Sequence, residues 1–191
     1  GFEDAAALMG LRVRDTLSDR KYHGSYERIA QALKLINLPA AELARFFEQV
    51  AFMVMVRNGD GHLKNFGVLY TTENDVRLAP MFDVVTTAIY TYQRYEGGPE
   101  LEDQTMALKL FARPKASRTY PLPAELLDFG RRVCGVADPA RVIERIADAM
   151  AQTLAQHQTD ARVAPALHAQ MGAAWSAGLA LASEVVRSRA H

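Results

Sequence analysis

The stretch from Leu43 to Val56 most constrains what this 191-residue chain can fold into. Leu43, Phe46, Phe47, Val50, Met53 and Val54 recur at helical spacing, and Pro39 stands where the first turn begins. The early half is amphipathic, but from Val50 to Val56 no face is polar. A helix that is apolar all round must be enclosed, so its C-terminal half is expected to run through the centre of the core. It feeds directly into Arg57-Asn58-Gly59-Asp60-Gly61-His62-Leu63-Lys64-Asn65, with Gly59 as the expected exit from the helix. A dense polar loop anchored by a buried element is a usual place for functional groups.

Beyond the loop, Phe66, Val68 and Tyr70 alternate with Gly67 and Leu69, and Val76 to Ala79 mirrors them across Thr71 to Asp75. This is the outline of a hairpin. The return strand ends at Pro80, before Met81-Phe82-Asp83-Val84-Val85. Because a hairpin brings its ends together, Asp83 is expected close to Asp60 and Asn65.

The rest of the chain reads as helical scaffold. Phe2 to Gly10 has a short helical pattern closed by glycine, and Leu11 to Gly24 is polar. A helix capped by Ser25 follows, with Ile29, Leu33 and Ile36 on its inner face. Tyr90 to Asp103 has few apolar anchors and reads as a surface loop, and Met106 to Phe111 as a short strand or turn. The basic run Lys109, Arg113, Lys115 and Arg118 reads as a solvated face. Pro123 and Asp138-Pro139 mark two helix starts, the second with Val142, Ile143, Ile146, Met150 and Leu154 on one side. Ala161 to Arg189 is Ala-rich and helical, with Trp175 as core anchor and Gly172 and Gly178 as close-packing points. His157 and His168 lack paired ligand spacing and read as ordinary helix histidines. The expectation is one mainly α domain over residues 1–191, with a small hairpin at its functional edge.

Lys plus Arg and Asp plus Glu both total 22, so nothing in the global charge favours nucleic acid or an anionic membrane as partner. A single cysteine, Cys134, excludes an internal disulfide framework, and its apolar neighbours point to a buried, inert thiol. No apolar run approaches the ~18 residues of a membrane span, and Gly1 to Leu11 lacks signal-peptide order. A soluble cytoplasmic protein is expected.

Asp60 and Asn65 form a D-x-x-x-x-N spacing, and Asp83 follows beyond the hairpin. That arrangement suits one carboxylate for a substrate hydroxyl and two oxygen ligands for Mg2+. The same residues would serve equally as loop caps. Asp60-Gly61-His62 after Gly59 also resembles the first D-x-H ligand pair of binuclear metallophosphoesterases, which would make Asp60 and His62 metal ligands. That motif follows a strand in its family, and the further Gly-Asp and Gly-Asn-His motifs are missing. A third class is a non-catalytic interaction domain whose helices bind a partner chain.

Asn58 to Phe66, followed by Leu78-Ala79-Pro80-Met81-Phe82-Asp83-Val84-Val85, resembles the catalytic core of the HipA-like serine/threonine kinases, the toxins of bacterial toxin-antitoxin systems. Lys21-Tyr22-His23-Gly24-Ser25-Tyr26 and Ala107-Leu108-Lys109 resemble that family in order and spacing, so the resemblance covers nearly the whole chain. It implies the helical C-terminal lobe of a protein-kinase-like fold, its hairpin carrying the catalytic and metal-binding loops. It further implies transfer of the γ-phosphoryl of ATP to a Ser/Thr hydroxyl. Asp60 matches the catalytic Asp, and Asn65 and Asp83 match the Mg2+ ligands that bridge the nucleotide phosphates. His62 and Lys64 match motif positions too, His62 as a brace for the loop and Lys64 as a charge facing the transferred group. The implied partners are a protein substrate, such as an aminoacyl-tRNA synthetase, and a HipB-like DNA-binding antitoxin, with no direct nucleic-acid contact by this chain. One departure stands out: the chain has no G-x-G-x-x-G and no recognisable strand lysine. The expectation is a C-terminal piece whose N-terminal lobe is absent, with little or no catalysis on its own.

Overall fold

In the computed structural model, which describes residues 1–13, 19–72, 74–93, 95–102 and 104–189, Phe2–Asp4 form a strand, β1. A single helical turn, α1 (Ala5–Leu8), follows and is capped by Asp4, which accepts from Ala7 N at 2.9 Å. The helical reading of Phe2 to Gly10 is therefore corrected over Phe2 to Asp4. Their backbone groups pair with a strand far away in sequence, and no local pattern encodes such a partner. Arg14 to Ser18 of the polar stretch, and Glu73, Arg94 and Asp103, lie outside the described residues.

Helix α2 (Tyr26–Leu35) starts where expected, Ser25 Oγ accepting from Arg28 N at 3.2 Å. Ile29 and Leu33 are buried on its inner face. Helix α3 (Ala40–Met55) buries Leu43, Phe46, Phe47, Val50, Met53 and Val54, as the periodicity requires. Its exit differs from the expectation. Arg57, not Gly59, adopts the left-handed conformation, with φ of 57°. Gly59 is needed for close approach instead: a Cβ there would sit 2.6 Å from the Thr105 carbonyl oxygen and 2.8 Å from Thr87 Oγ1.

The expected hairpin forms from β2 (Gly67–Thr72) and β3 (Asp75–Leu78), pairing Val68 with Leu78 and Tyr70 with Val76. β1 adds to the other edge of β2, Glu3 opposite Val68, giving a three-stranded antiparallel sheet. Helix α3 fixes the end of the return strand. Glu42 Oε2 accepts from Leu78 N at 2.7 Å, and buried Gln49 donates to the Ala79 carbonyl at 2.9 Å. The segment expected as a plain surface loop contains a second hairpin, β4 (Thr91–Gln93) with β5 (Glu100–Glu102), while Tyr90, Tyr92 and Tyr95 remain exposed. Met106, Ala107, Leu108, Leu110 and Phe111 are buried in irregular backbone that is tied to α2 by Tyr26 N to Lys109 O at 3.0 Å and Glu27 N to Leu110 O at 3.1 Å.

Pro123 and Asp138-Pro139 open α4 (Pro123–Asp128) and α5 (Pro139–His157), and Asp138 caps the latter through Arg141 N at 3.2 Å. The last helix, α6 (Pro165–Arg189), begins four residues after Ala161 and packs on α5 and α3. Edge-to-face and tilted ring contacts run through the core from Tyr26 to Phe66 (5.6 Å), Phe46 (5.4 Å), Phe129 (6.4 Å) and Phe111 (6.0 Å). Such pairs each add about 0.5–1.5 kcal/mol beyond area burial. Cys134 is buried, which pushes its thiol up to about 12, and His157 and His168 are hydrogen-bonded to Asp160 and the Leu154 carbonyl. Among the described residues, no helix is long and apolar enough to cross a membrane.

The two glycines of α6 make the packing testable. A Cβ at Gly178 would lie 2.1 Å from the Met55 carbonyl oxygen, whereas one at Gly172 meets nothing within 4 Å. Gly178→Ala is expected to force α6 off α3 and destabilise by about 1–3 kcal/mol. Gly172→Ala is expected to be neutral or to stabilise by up to about 1 kcal/mol through helix propensity. Urea denaturation of both variants checks this, and equal effects at the two positions would contradict the packing.

Candidate active site

The polar loop is fastened to the core at both ends. Asn58 N bonds the Met53 carbonyl at 2.9 Å, closing the end of α3. The buried Tyr26 hydroxyl donates to the Gly61 carbonyl at 2.9 Å, and burial raises that phenol well above its ordinary pKa. Thr87 Oγ1 accepts from Gly59 N at 2.7 Å and donates to the Arg57 carbonyl at 3.1 Å. Its neighbour Thr86 accepts from Trp175 Nε1 on α6 at 2.9 Å. The Arg57 guanidinium lies 4.1 Å from the centre of the Tyr120 ring, a cation–π contact that supports the left-handed turn.

Asn65 and Asp83 meet as the hairpin argument expects: Asn65 Nδ2 donates to Asp83 Oδ2 at 2.9 Å. Asn65 Oδ1 in turn accepts from His62 N at 2.8 Å, which fixes the orientation of the carboxamide. Asp83 is exposed and left-handed, with φ of 56°, an unusual state for a residue with a Cβ. Asp60 takes a different partner. Its backbone N bonds Asn58 Oδ1 at 3.0 Å, and its exposed carboxylate accepts from the Tyr22 hydroxyl at 2.9 Å. Burial first, and then this bond to Asp60, push the Tyr22 phenol up to about 12.

His62 feels both carboxylates. The residue is 7% exposed, its ring is edge-on to Tyr22 at 5.4 Å, and its Nδ1 has no hydrogen-bond partner among the described residues. Burial lowers its pKa, and the fields of Asp60 and Asp83 oppose that shift. The two carboxylates thus meet electrostatically at the imidazole. The bracing contributed by His62 comes from its backbone N–H and ring packing. Lys64 points elsewhere, into an ion pair with Asp4 at the start of α1.

Beside Asp60 opens a cavity of about 470 Å³, lined by Tyr22, Gly59, Thr87, Tyr90, Thr105 and Arg118 among others. Mg2+ takes hard oxygen ligands and commonly binds through one or two carboxylates together with phosphate and water oxygens. Asp83 fits that demand: one oxygen is engaged by Asn65, and the exposed carboxylate keeps the other. Asn65 Oδ1 bonds one N–H and retains a second lone pair. The pair fits an ion completed by substrate oxygens rather than an all-protein cage, and no group of three or more His, Cys, Asp or Glu converges among the described residues. Tyr22 and Thr87 were missed by sequence reasoning as site residues. Tyr22 carried a signal, lying in the Lys21 to Tyr26 segment that matches the family order, whereas nothing marked Thr87.

A family model described as the HipA-like C-terminal domain matches residues 1–158. A Sinorhizobium fredii protein named "Putative kinase Y4dM" is 33% identical over 89 residues, which are 46% of this chain and 20% of that protein. A Haemophilus influenzae protein with the same designation of kinase is 30% identical over 104 residues, 53% of this chain and 28% of its own length. The chain therefore matches well under half the length of these curated relatives. Among solved structures, a chain from the Shewanella oneidensis MR-1 toxin-antitoxin complex of HipA, HipB and operator DNA superposes over 100% of this chain and 46% of its own, with a TM-score of 0.59 at 17% identity. At that identity the likeness speaks for the fold.

The His62 environment gives a pH prediction. A histidine whose charged form is disfavoured on folding binds fewer protons folded than unfolded. Its contribution to stability is therefore full above its ordinary pKa of 6.5 and declines as pH falls below it. NMR titration is expected to place the His62 imidazole below 6.5, and His62→Gln should remove that part of the acid sensitivity. A midpoint at or above the ordinary value would contradict the burial argument.

Proposed function

Because the chain belongs to the HipA-like C-terminal domain family, we propose that it is the C-terminal catalytic lobe of a HipA-like protein kinase that phosphorylates a Ser or Thr hydroxyl using Mg-ATP. The observation that carries this reading is the Asn65–Asp83 hydrogen bond across the hairpin, with Asp60 presented at an open cleft by the same loop. Bound there, Mg-ATP supplies the phosphoryl group and the metal charge that stabilises its transfer.

The roles of the chain's own residues follow from their surroundings. Asp60, oriented by Tyr22 and by its own amide on Asn58, holds the incoming hydroxyl and accepts its proton. Asp83 would be the principal metal ligand, and Asn65, which donates to it at 2.9 Å, would align it and add its carboxamide oxygen. His62, whose charged form is disfavoured by burial, packs edge-on to Tyr22 within the fields of Asp60 and Asp83 without adding a positive charge near pH 7. For Lys64 to face the transferred group, its ion pair with Asp4 must open, so its contribution is the smaller one. In the longer protein, an upstream lobe covers the nucleotide, the target is a protein such as an aminoacyl-tRNA synthetase, and a HipB-like antitoxin restrains the enzyme in the cytoplasm. The phosphoesterase reading fits less well, because the element before Asp60-Gly61-His62 is α3, a helix, where that chemistry has a strand. A purely interacting domain gives no reason for a left-handed Asp83 held against Asn65.

The test uses the longer protein with radiolabelled ATP. Asp60→Ala is expected to lower turnover on the order of 10²–10⁴-fold. Asp83→Ala should do so at least as strongly and raise the Mg2+ concentration required, while Lys64→Ala should cost less than either. Undiminished transfer by the Asp60 or Asp83 variant would sink the assignment.

A further inference from the structure

Tyr22 and Arg118 line the Asp60 cleft and also a second, larger cavity of about 670 Å³. Around that cavity stand four cations, Arg28, Lys109, Arg113 and Arg118. Three of them belong to the basic run expected to be a solvated face, and Arg28 comes from α2, so the fold gathers into one concavity charges that are scattered in sequence. Among the described residues, no ion pair engages any of the four.

Two of these side chains are already positioned. Arg118 donates to the Tyr22 carbonyl at 3.0 Å, and the Arg113 guanidinium lies 4.5 Å from the centre of the Phe111 ring. Neither contact neutralises charge. The main chain of the first turn of α2 is not available to an anion either. Tyr26 N and Glu27 N bond the carbonyls of Lys109 and Leu110, and Arg28 N bonds Ser25 Oγ. Recognition therefore falls to the guanidinium and ammonium groups, whose geometry suits carboxylate and phosphate oxygens. Like charges facing one concavity repel one another, and a bound anion relieves that repulsion beyond what Glu27 supplies, whose Oε2 accepts from the N–H of the lining residue Ala112 at 2.7 Å.

We propose that this cavity is a specificity pocket for an anionic side chain, a carboxylate or a phosphomonoester, on the same peptide segment whose hydroxyl enters the cleft beside Asp60. It rests on the kinase reading for the identity of that segment. The shared wall of Tyr22 and Arg118 puts the two cavities within reach of one extended peptide. A peptide is favoured over a nucleic acid because the positive charge is confined to one concavity of a chain whose 22 basic and 22 acidic residues balance, leaving no global excess for a polyanion.

Fluorescence anisotropy on this chain tests it. Three labelled peptides share one serine and differ at one flanking position, carrying Gln, Asp or phosphoserine, and a single-stranded oligonucleotide of equal length serves as the competing class. The Asp or phosphoserine peptide is expected to bind about tenfold more tightly than the Gln peptide at low salt. The stronger of the two names the source of the anion. Arg28→Glu with Arg113→Glu should abolish the difference. Arg113→Gln should halve it or more, in case charge reversal disturbs folding, which circular dichroism monitors. Equal binding of neutral and anionic peptides, no measurable binding of any peptide, a preference that survives charge reversal, or tighter binding of the oligonucleotide would each overturn the pocket. The kinase reading fails separately: a preference without phosphoryl transfer by the longer protein sinks that reading alone, and transfer without a preference sinks only the pocket.

Discussion

The buried hydrogen bond from Tyr26 to the Gly61 carbonyl is the contact on which the rest of the site depends. A Cβ at Gly61 would stand 1.6 Å from the Met53 methyl carbon and 3.2 Å from the Tyr26 oxygen, so the loop lies close against α2 and α3 and a side chain there would have to displace the end of Met53. Leaving such a carbonyl buried and unbonded costs about 1–3 kcal/mol. The same Tyr26 ring starts the succession of aromatic contacts through Phe66 and Phe46. The loop is thus continuous with the densest part of the core, and Asp60 projects from it into an open cleft. A rigid base under an exposed carboxylate is what positioning chemistry requires.

Much of this was legible in the sequence because it is local. The Ser25 cap, the burial of α3 and the hairpin each follow from spacing, and the hairpin alone brought Asp83 to Asn65. What stayed hidden is non-local. Phe2 to Asp4 become a strand only because β2 offers an edge, and Tyr22 finds Asp60 across 38 residues of sequence. Arg57 takes the left-handed turn in place of a nearby glycine because Tyr120 lies under its guanidinium, and no local rule encodes that. The hairpin of β4 and β5 escaped because its tyrosines face solvent and leave no burial pattern. Lys64 had a motif position but found Asp4, a partner 60 residues away.

The charges around the site are segregated. Asp60 and Asp83 act on a buried imidazole whose charged form burial disfavours, while Arg28, Lys109, Arg113 and Arg118 gather around the second cavity that Tyr22 also lines. One tyrosine borders both territories, donating its hydroxyl to Asp60 and accepting from Arg118 at its carbonyl. A ligand that displaced either partner would be felt by the other through a single residue, without any movement of the helices.

Helix α6 lies beyond the segment that matches the family, residues 1–158, yet it reaches the loop through Trp175, Thr86 and Thr87. The Gly59 amide is bonded to a threonine whose neighbour is held by that helix. Its exchange with deuterium therefore requires more than local fraying: either Thr87 must turn away, or the last helix must lift and release the strap. The protection of the loop is in that sense borrowed from α6. Homologues that differ after residue 158 can share every loop residue and still differ in how long the loop keeps its shape.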